Sequence, residues 1–273
     1  MSFTVNTNVG AMAALQTLSA TNRDFAVTQS RINTGLNVAS TKDDSAAFTI
    51  AQTLRGDLSG LGAVTSSLSR AKSTTDVAVA GAEQISTLIN KMRDIARTAS
   101  DAGVDEKSRT AYAADFTALK EQISTIVNSS TFNGTNLLKT DSGSVSALQS
   151  TDTSADALTV ENQDFDTNVL DAIGDVFEDA DTALAMVDTL DTVAESVSTT
   201  LSTLGSASRK IDGQMTFISK LSDVIEAGIG NLVNADYAKE SAKLQALQVK
   251  QQLGVQALSI ANQAPQSILS LFR

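Results

Sequence analysis

The sequence predicts a mainly α-helical protein of long antiparallel coiled-coil helices with one small β-hairpin region. Three observations lead there. Apolar residues recur at alternating steps of three and four over long stretches, only one proline occurs in 273 residues, and the repeat is lost only in a polar middle. An interior proline costs a helix about 3 kcal/mol, so its near absence permits very long helices. Aromatic residues make up only 4% of the chain, which suits slim seams between helices.

The longest row of apolar or small residues predicts a helix over about 57–99. Its members are Leu61, Val64, Leu68, Ala71, Thr75, Ala78, Ala82, Ile85, Ile89, Met92, Ala96 and Ala99. Alternating steps of three and four form a heptad row, which predicts a left-handed supercoil with a neighbouring helix. Asp101-Ala102-Gly103 should end the helix, and the non-periodic stretch 37–53 should precede it as a connector.

Two further rows predict two further helices. One follows the break at 101–103 and carries Tyr112, Phe116, Leu119, Ile123 and Ile126 on one face. The other runs through Val187, Leu190, Ala194, Val197, Leu201, Leu204, Ser208, Ile211, Met215 and Ile218. Its steps of three and four make it a second long coiled-coil helix.

Both ends of the chain carry helical apolar rows. The first comprises Ala11, Leu15, Leu18, Phe25 and Ile32, and the second Ile218, Ile225, Ile229, Leu232 and Leu247. The two rows can be buried on each other, in one intramolecular bundle, or on copies of the same chain. Pro265 biases the residue before it away from the helical conformation, so we expect the last helix to end or bend near Gln263.

The middle of the chain predicts a turn and a hairpin. Asn133-Gly134 is a strong turn signal, and short alternating runs lie near Val145–Leu148 and Leu158–Val160. Residues 139–195 also hold 14 of the 31 acidic residues and only one base, Lys139, which leaves 17 acids and 19 bases elsewhere. The net charge of −11 therefore lies mostly in this solvated segment.

Composition excludes most catalytic and cofactor sites. The chain has no histidine and no cysteine, which removes the commonest general base, the commonest metal ligand and the usual partner of a nucleophile. We predict no enzyme activity, cofactor or metal. Asp43 and Asp44 lack such partners too, and we expect them to fix the connector by accepting backbone or arginine hydrogen bonds.

Several partner classes are also disfavoured. No basic patch with interleaved aromatics suggests nucleic acid, no segment is long enough to span a membrane, and the N-terminus lacks the pattern of a secretory signal peptide. The absence of cysteine leaves the redox compartment undetermined.

Several blocks of the sequence resemble those of bacterial flagellins, in the family's order and spacing. They are Asn6-Thr7-Asn8, residues 30–36 (SRINTGL), 40–47 (STKDDSAA), 131–134 (TFNG) with Leu137-Leu138, 235–240 (ADYAKE) and 261–269 (ANQAPQSIL). The resemblance covers about 1–138 and 205–273. The chain departs from many relatives at Asn231 and Asn234, where those have Arg and Asp.

The resemblance implies a structural subunit that polymerises into the flagellar filament for swimming. It implies export through the flagellar type III channel without a cleaved signal peptide, and an extracellular location. The implied partners are other copies of the chain, an export chaperone, the filament cap and hook-associated proteins. The related hook–filament junction protein is the alternative.

The resemblance also implies a domain plan. Residues 1–40 and 235–273 would form a terminal helical domain that becomes an inner tube on assembly. Residues 41–138 and 167–234 would form a helical core rod, and 139–166 a short outer hairpin in place of the bulky outer domains of larger members. The residues expected at assembly seams are Leu15, Leu18, Phe25, Ile32, Leu247, Leu253, Leu258 and Ile268. The connector residues are Arg31, Asp43 and Asp44.

Overall fold

The computed structural model of the chain describes residues 7–152 and 154–271, with side chains as far as Gln263. Within these residues the chain forms five α-helices and one two-stranded antiparallel sheet, which confirms the mainly α prediction. The helices are α1 (Val9–Thr34), α2 (Ser45–Ala99), α3 (Glu106–Ser129), α4 (Ala180–Val233) and α5 (Tyr237–Leu271). The strands are β1 (Val145–Ala147) and β2 (Leu158–Val160), and a π-helical turn follows at Asp166–Asp171. The chain divides into two units, Asp57–Asp223 and the residues up to Gly56 together with those from Val224 onward.

The unit Asp57–Asp223 has a heptad core. All twelve members of the predicted row from Leu61 to Ala99 are buried. On α4 the buried positions include Leu190, Val197, Leu204, Ile211 and Ile218, which follow one another at steps of seven. The predicted coiled-coil faces of both helices are therefore confirmed.

Ion pairs show that α2 and α4 run antiparallel in this unit. Lys72 Nζ lies 3.3 Å from Asp212 Oδ2, and Arg93 Nη1 lies 2.7 Å from Asp191 Oδ1. The residue number rises along α2 as it falls along α4. The predicted antiparallel arrangement of long helices is thus confirmed.

The third helix begins at a capping carboxylate and buries a narrow face. Asp105 accepts hydrogen bonds from the Ser108 backbone N–H and hydroxyl at 3.4 and 2.6 Å. Phe116, Ile123 and Val127 are buried. The Phe116 ring packs edge-on against Phe177 with 5.4 Å between centroids.

The predicted turn and hairpin are both present. Asn133 and Gly134 have φ angles of 48° and 83°, as the central residues of a type I′ turn require. Phe132 and Thr135 exchange backbone hydrogen bonds of 2.9 and 3.0 Å across it. In the sheet, Val145 pairs with Val160 and Ala147 with Leu158.

The predicted start of α2 was wrong. The helix begins at Ser45, twelve residues before position 57, so the connector is shorter than 37–53. Asp44 accepts backbone hydrogen bonds from Ala46 and Ala47, both at 3.0 Å, and caps the helix start. Ala51 is fully buried in a cluster with Val38, Ile229 and Val233, so tertiary packing holds the first turns in helical form.

We expected α5 to end or bend near Gln263, and an end at that residue was wrong. The helix continues through Pro265 to Leu271. Proline removes one backbone donor, and the backbone on both sides of it is nevertheless helical. The side chains of residues 264–273 lie outside the described part of the chain.

Candidate assembly surface

Helices α1 and α5 form an antiparallel pair. Asn8 Nδ2 donates to the Ala261 carbonyl at 2.7 Å, and Gln251 Nε2 donates to Asn22 Oδ1 at 2.8 Å. At the other end, Arg31 Nη1 lies 3.4 Å from Glu240 Oε1. As the residue number rises along α1 it falls by nearly the same amount along α5, so these contacts define one register.

Each helix contributes a heptad row to this seam. The row on α1 consists of Ala11, Ala14, Leu18, Thr21, Phe25, Thr28 and Ile32, all buried or half-buried. The row on α5 consists of Glu240, Leu244, Leu247, Gln251, Gly254, Leu258 and Ala261, also buried or half-buried. A Cβ added to Gly254 would lie 3.1 Å from Leu18 Cδ1, so the glycine lets the two helices approach closely. The seam is slim and partly polar.

Local sequence fixes both ends of α1. Asn8 caps its start by accepting a hydrogen bond from the Ala11 backbone N–H at 3.0 Å. Gly35 ends it with φ of 73°, a left-handed conformation that favours glycine. The chain then pairs with the α4–α5 junction, since Ala235 N donates to the Gly35 carbonyl at 2.8 Å and Leu36 forms a β-bridge with Asn234.

The connector is held by the two aspartates named from the sequence. Asp43 Oδ2 accepts hydrogen bonds from Ala39 N at 3.1 Å, Ser40 N at 2.9 Å and Ser40 Oγ at 3.0 Å. The Ser40 hydroxyl and backbone hydrogen bonds lower the pKa of the Asp43 carboxyl, and the positive charge of Arg31 adds to the effect. The hydrogen-bonding partner of Arg31 itself is Glu240 on α5.

The expected assembly residues fall into three groups. Leu18, Phe25, Ile32, Leu247 and Leu258 lie in the α1–α5 seam, where they are buried or half-buried. Leu15 and Leu253 point away from it and are 54% and 57% exposed. The side chain of Ile268 lies outside the described residues. The role of all eight in assembly stays a prediction.

A second apolar row lies on the outer face of α5. It comprises Ala242, Ala246, Val249, Leu253 and Ile260, interrupted by the polar Gln256, and all six positions are exposed. The row has the same heptad spacing as the seam but is shifted by two residues, about 200° around the helix. Helix α5 is therefore largely apolar on two nearly opposite faces, and the residues that the structure describes cover only one of them.

Sequence reasoning named only Leu253 from this outer row. Val249 and Ile260, which are 56% and 68% exposed, were missed. The repeat of three and four from residue 242 to 260 was available as a signal. On α1, Val9, Met12 and Val27 are likewise exposed apolar residues that were not named.

Comparisons with known proteins identify the family. The model of the bacterial flagellin N-terminal helical region matches residues 5–142, and that of the bacterial flagellin C-terminal helical region matches residues 187–272. Flagellin FljM of Caulobacter vibrioides is 43% identical over 98% of both chains. A flagellin of Brucella melitensis is 34% identical, also over 98% of both chains.

A solved structure agrees in fold. A candidate flagellar hook-associated protein from Vibrio parahaemolyticus superposes with a TM-score of 0.58 at 13% identity, over 70% of this chain and all of that one. At this identity the likeness concerns the fold alone.

These matches define a flagellar structural protein. The chain belongs to the bacterial flagellin family, and its function is that of a structural subunit of the flagellar filament. The full-length flagellin relatives do not favour the hook–filament junction protein. Among the described residues, no helix is both long enough and apolar enough to cross a membrane.

Proposed function

We propose that the outer row of α5 makes the main apolar contact between copies of the chain in the filament. The observation that carries this is the second heptad row, because Val249, Leu253 and Ile260 keep more than half of their surface exposed after α5 has packed on α1. A repeated apolar face of this kind is suited to a further helix in coiled-coil packing. The exposed Met12 and Leu15 of α1 would extend the surface.

The proposal separates two roles among the expected assembly residues. Leu18, Phe25, Ile32, Leu247 and Leu258 hold α1 and α5 together as one hairpin. Leu15 and Leu253 contact neighbouring copies, and Ile268, whose side chain lies outside the described residues, is not assigned to either role. The terminal segments 1–40 and 235–273 would then form the inner tube, with 41–138 and 167–234 as the surrounding core and 139–166 as the outer hairpin.

The assembled contact is heterologous. The outer face of α5 meets a different surface on the next copy, and a contact of this type that does not close into a ring generates an open helical filament.

The remaining parts of the proposal rest on family membership. They are export through the flagellar type III channel without a cleaved signal peptide, contacts with an export chaperone, the filament cap and hook-associated proteins, and a role without catalysis. The lack of histidine and cysteine supports the last point. Mass spectrometry of the N-terminus of filament protein tests the export route, because a cleaved leader would shorten it.

The assembly proposal is tested by the triple variant V249A/L253A/I260A. Alanine is the best helix former, so the substitutions keep α5 helical while removing apolar surface. Full burial of such a side chain contributes about 1.5–3 kcal/mol, and slightly more than half of each remains to be buried. The triple variant should therefore lose about 3–5 kcal/mol of contact free energy for each subunit, which raises the critical concentration for polymerisation roughly 100-fold or more.

The assay is sedimentation of seeded filaments over a range of protein concentrations. Leu184→Ala is the matched control, since Leu184 is 57% exposed like Leu253 but lies in the other unit. We expect the control to polymerise close to normally. Normal filaments from the triple variant, or an equal loss in the control, would rule out a special role for the outer row.

A further inference from the structure

The seam between α1 and α5 contains a buried polar cluster near the connector. Arg31 and Glu240 form an ion pair whose side chains are 26% and 8% exposed. Thr28, one turn before Arg31, is fully buried. Three buried atoms of the cluster have no hydrogen-bond partner among the described residues: Thr28 Oγ1, Arg31 Nε and Glu240 Oε2. Incompletely satisfied polar groups weaken a seam, so stability alone does not account for them.

The apolar residues of the seam do not define its register by themselves. Both rows repeat every seven residues, and sliding one helix by seven places apolar or small residues opposite each other again in most of the seam. In coiled coils, a single buried polar contact can select one register from several similar ones. The polar cluster around Arg31 and Glu240 lies in the seam itself, where such a contact would select the register.

Charges on the two helices oppose a slip in either direction. If α1 slips by seven residues in one direction, Asp24 takes the position of Arg31 opposite Glu240, and two carboxylates then face each other. A slip the other way places Arg31 opposite Leu247, which is 5% exposed in the observed seam, and carries Glu240 past the end of α1 at Thr34. Only the observed register gives Glu240 a cationic partner.

We propose that Arg31 and Glu240 are positioning residues that set the register of the α1–α5 hairpin, with Asp24 rejecting the neighbouring register. The consequence for assembly rests on the proposed function. A slip of seven residues moves the outer row of α5 by about 10 Å along α1. In a slipped subunit Val249, Leu253 and Ile260 are therefore displaced along the helix axis from the positions at which they contact the neighbouring copies.

The register can be read by disulfide trapping because the chain has no cysteine. N22C/Q251C reports the observed register, since these side chains are in contact at 2.8 Å. N22C/L244C and N22C/L258C report the two slipped registers, because Leu244 and Leu258 lie seven residues to either side of Gln251. Non-reducing gels distinguish bridges within a chain from bridges between chains, in soluble protein and in sedimented filaments separately.

Two charge backgrounds are compared with the wild-type background. In R31M/E240L two apolar side chains replace the ion pair, and we expect about a tenfold rise in slipped-pair trapping. In D24R/R31E/E240R the charges of these three residues are inverted, and we expect trapping of the observed pair alone. Circular dichroism measures the helix content of each background, and the inverted background still tests the proposal if the apolar one loses helix.

Three results would overturn the proposal. They are trapping of only the observed pair in R31M/E240L, trapping of slipped pairs in the inverted background, and no trapping in wild-type soluble protein. A protein that forms the N22C/Q251C disulfide but never sediments contradicts the assembly proposal and leaves the register proposal intact. The failure of one proposal can thus be distinguished from the failure of the other.

Discussion

Gly81 and Gly62 lie in the same helix, and alanine at the two positions should shift stability in opposite directions. In an open helix position, replacing glycine by alanine stabilises by about 1 kcal/mol. Gly62 is such a position, because a Cβ added there meets no atom within 4 Å. At Gly81 the added Cβ would lie 2.5 Å from Ser130 Oγ and 2.9 Å from Leu138 Cδ1.

The two neighbours of Gly81 cannot move freely. Ser130 is buried and its hydroxyl donates to the Ile126 carbonyl at 2.7 Å, where it closes the end of α3. Leu138 is fully buried. Overpacking of this kind costs about 1–3 kcal/mol, which exceeds the gain in helix propensity. We expect G81A to lower the free energy of unfolding by about 1–2 kcal/mol and G62A to raise it by about 1 kcal/mol.

The assay is thermal unfolding followed by circular dichroism at the helical minimum. One kcal/mol corresponds to about 2–4 °C for a unit of this size, so the two variants should melt on opposite sides of the wild type. A G81A protein that melts at or above the G62A temperature would refute the argument from close packing.

Two further predictions concern the unit Asp57–Asp223. Phe116→Ala should lower the free energy of unfolding by about 3–5 kcal/mol, because Phe116 is fully buried against Phe177. Phe217→Ala should change it by no more than about 0.5 kcal/mol, since Phe217 is 56% exposed. Equal urea midpoints for the two variants would contradict this. The Ser108 hydroxyl lowers the pKa of the Asp105 carboxyl, so this cap contributes stability above the unfolded pKa of about 3.9 that is lost as the pH falls through the lower folded value. Asp105→Asn, which caps without titrating, should therefore lose less stability between pH 6 and pH 3 than the wild type, and equal losses in urea unfolding would exclude the cap as the source.

The sequence alone was sufficient wherever the determining pattern is local. The heptad row from Leu61 to Ala99 predicted twelve buried residues, and all twelve are buried, because a helix that keeps a period of 3.5 has one face to bury. The Asn133-Gly134 turn was equally predictable, since its positive φ angles restrict the residues that fit. Family motifs then supplied the function, which no catalytic or binding pattern in the chain could have given.

Helix boundaries depended on contacts that the sequence does not display. The predicted start of α2 near 57 missed the turns from Ser45, which are held by the Asp44 cap and by packing of Ala51 on Ile229 and Val233. The expectation of an end or bend near Gln263 rested on one proline, and the helix does not end there but continues to Leu271.

Partner choice was decided only by the tertiary structure. The sequence showed apolar rows at both ends but left open whether they meet each other or other copies. In the structure Leu18 lies in the α1–α5 seam while Leu15 faces outward, a difference that depends on which side of α1 receives α5. Helix α5 has two apolar faces about 200° apart, and periodicity is the same for both. Contacts such as the ion pair of Arg31 with Glu240 and the close approach of Leu18 to Gly254 determine which face turns inward. They join residues more than 200 positions apart in the chain.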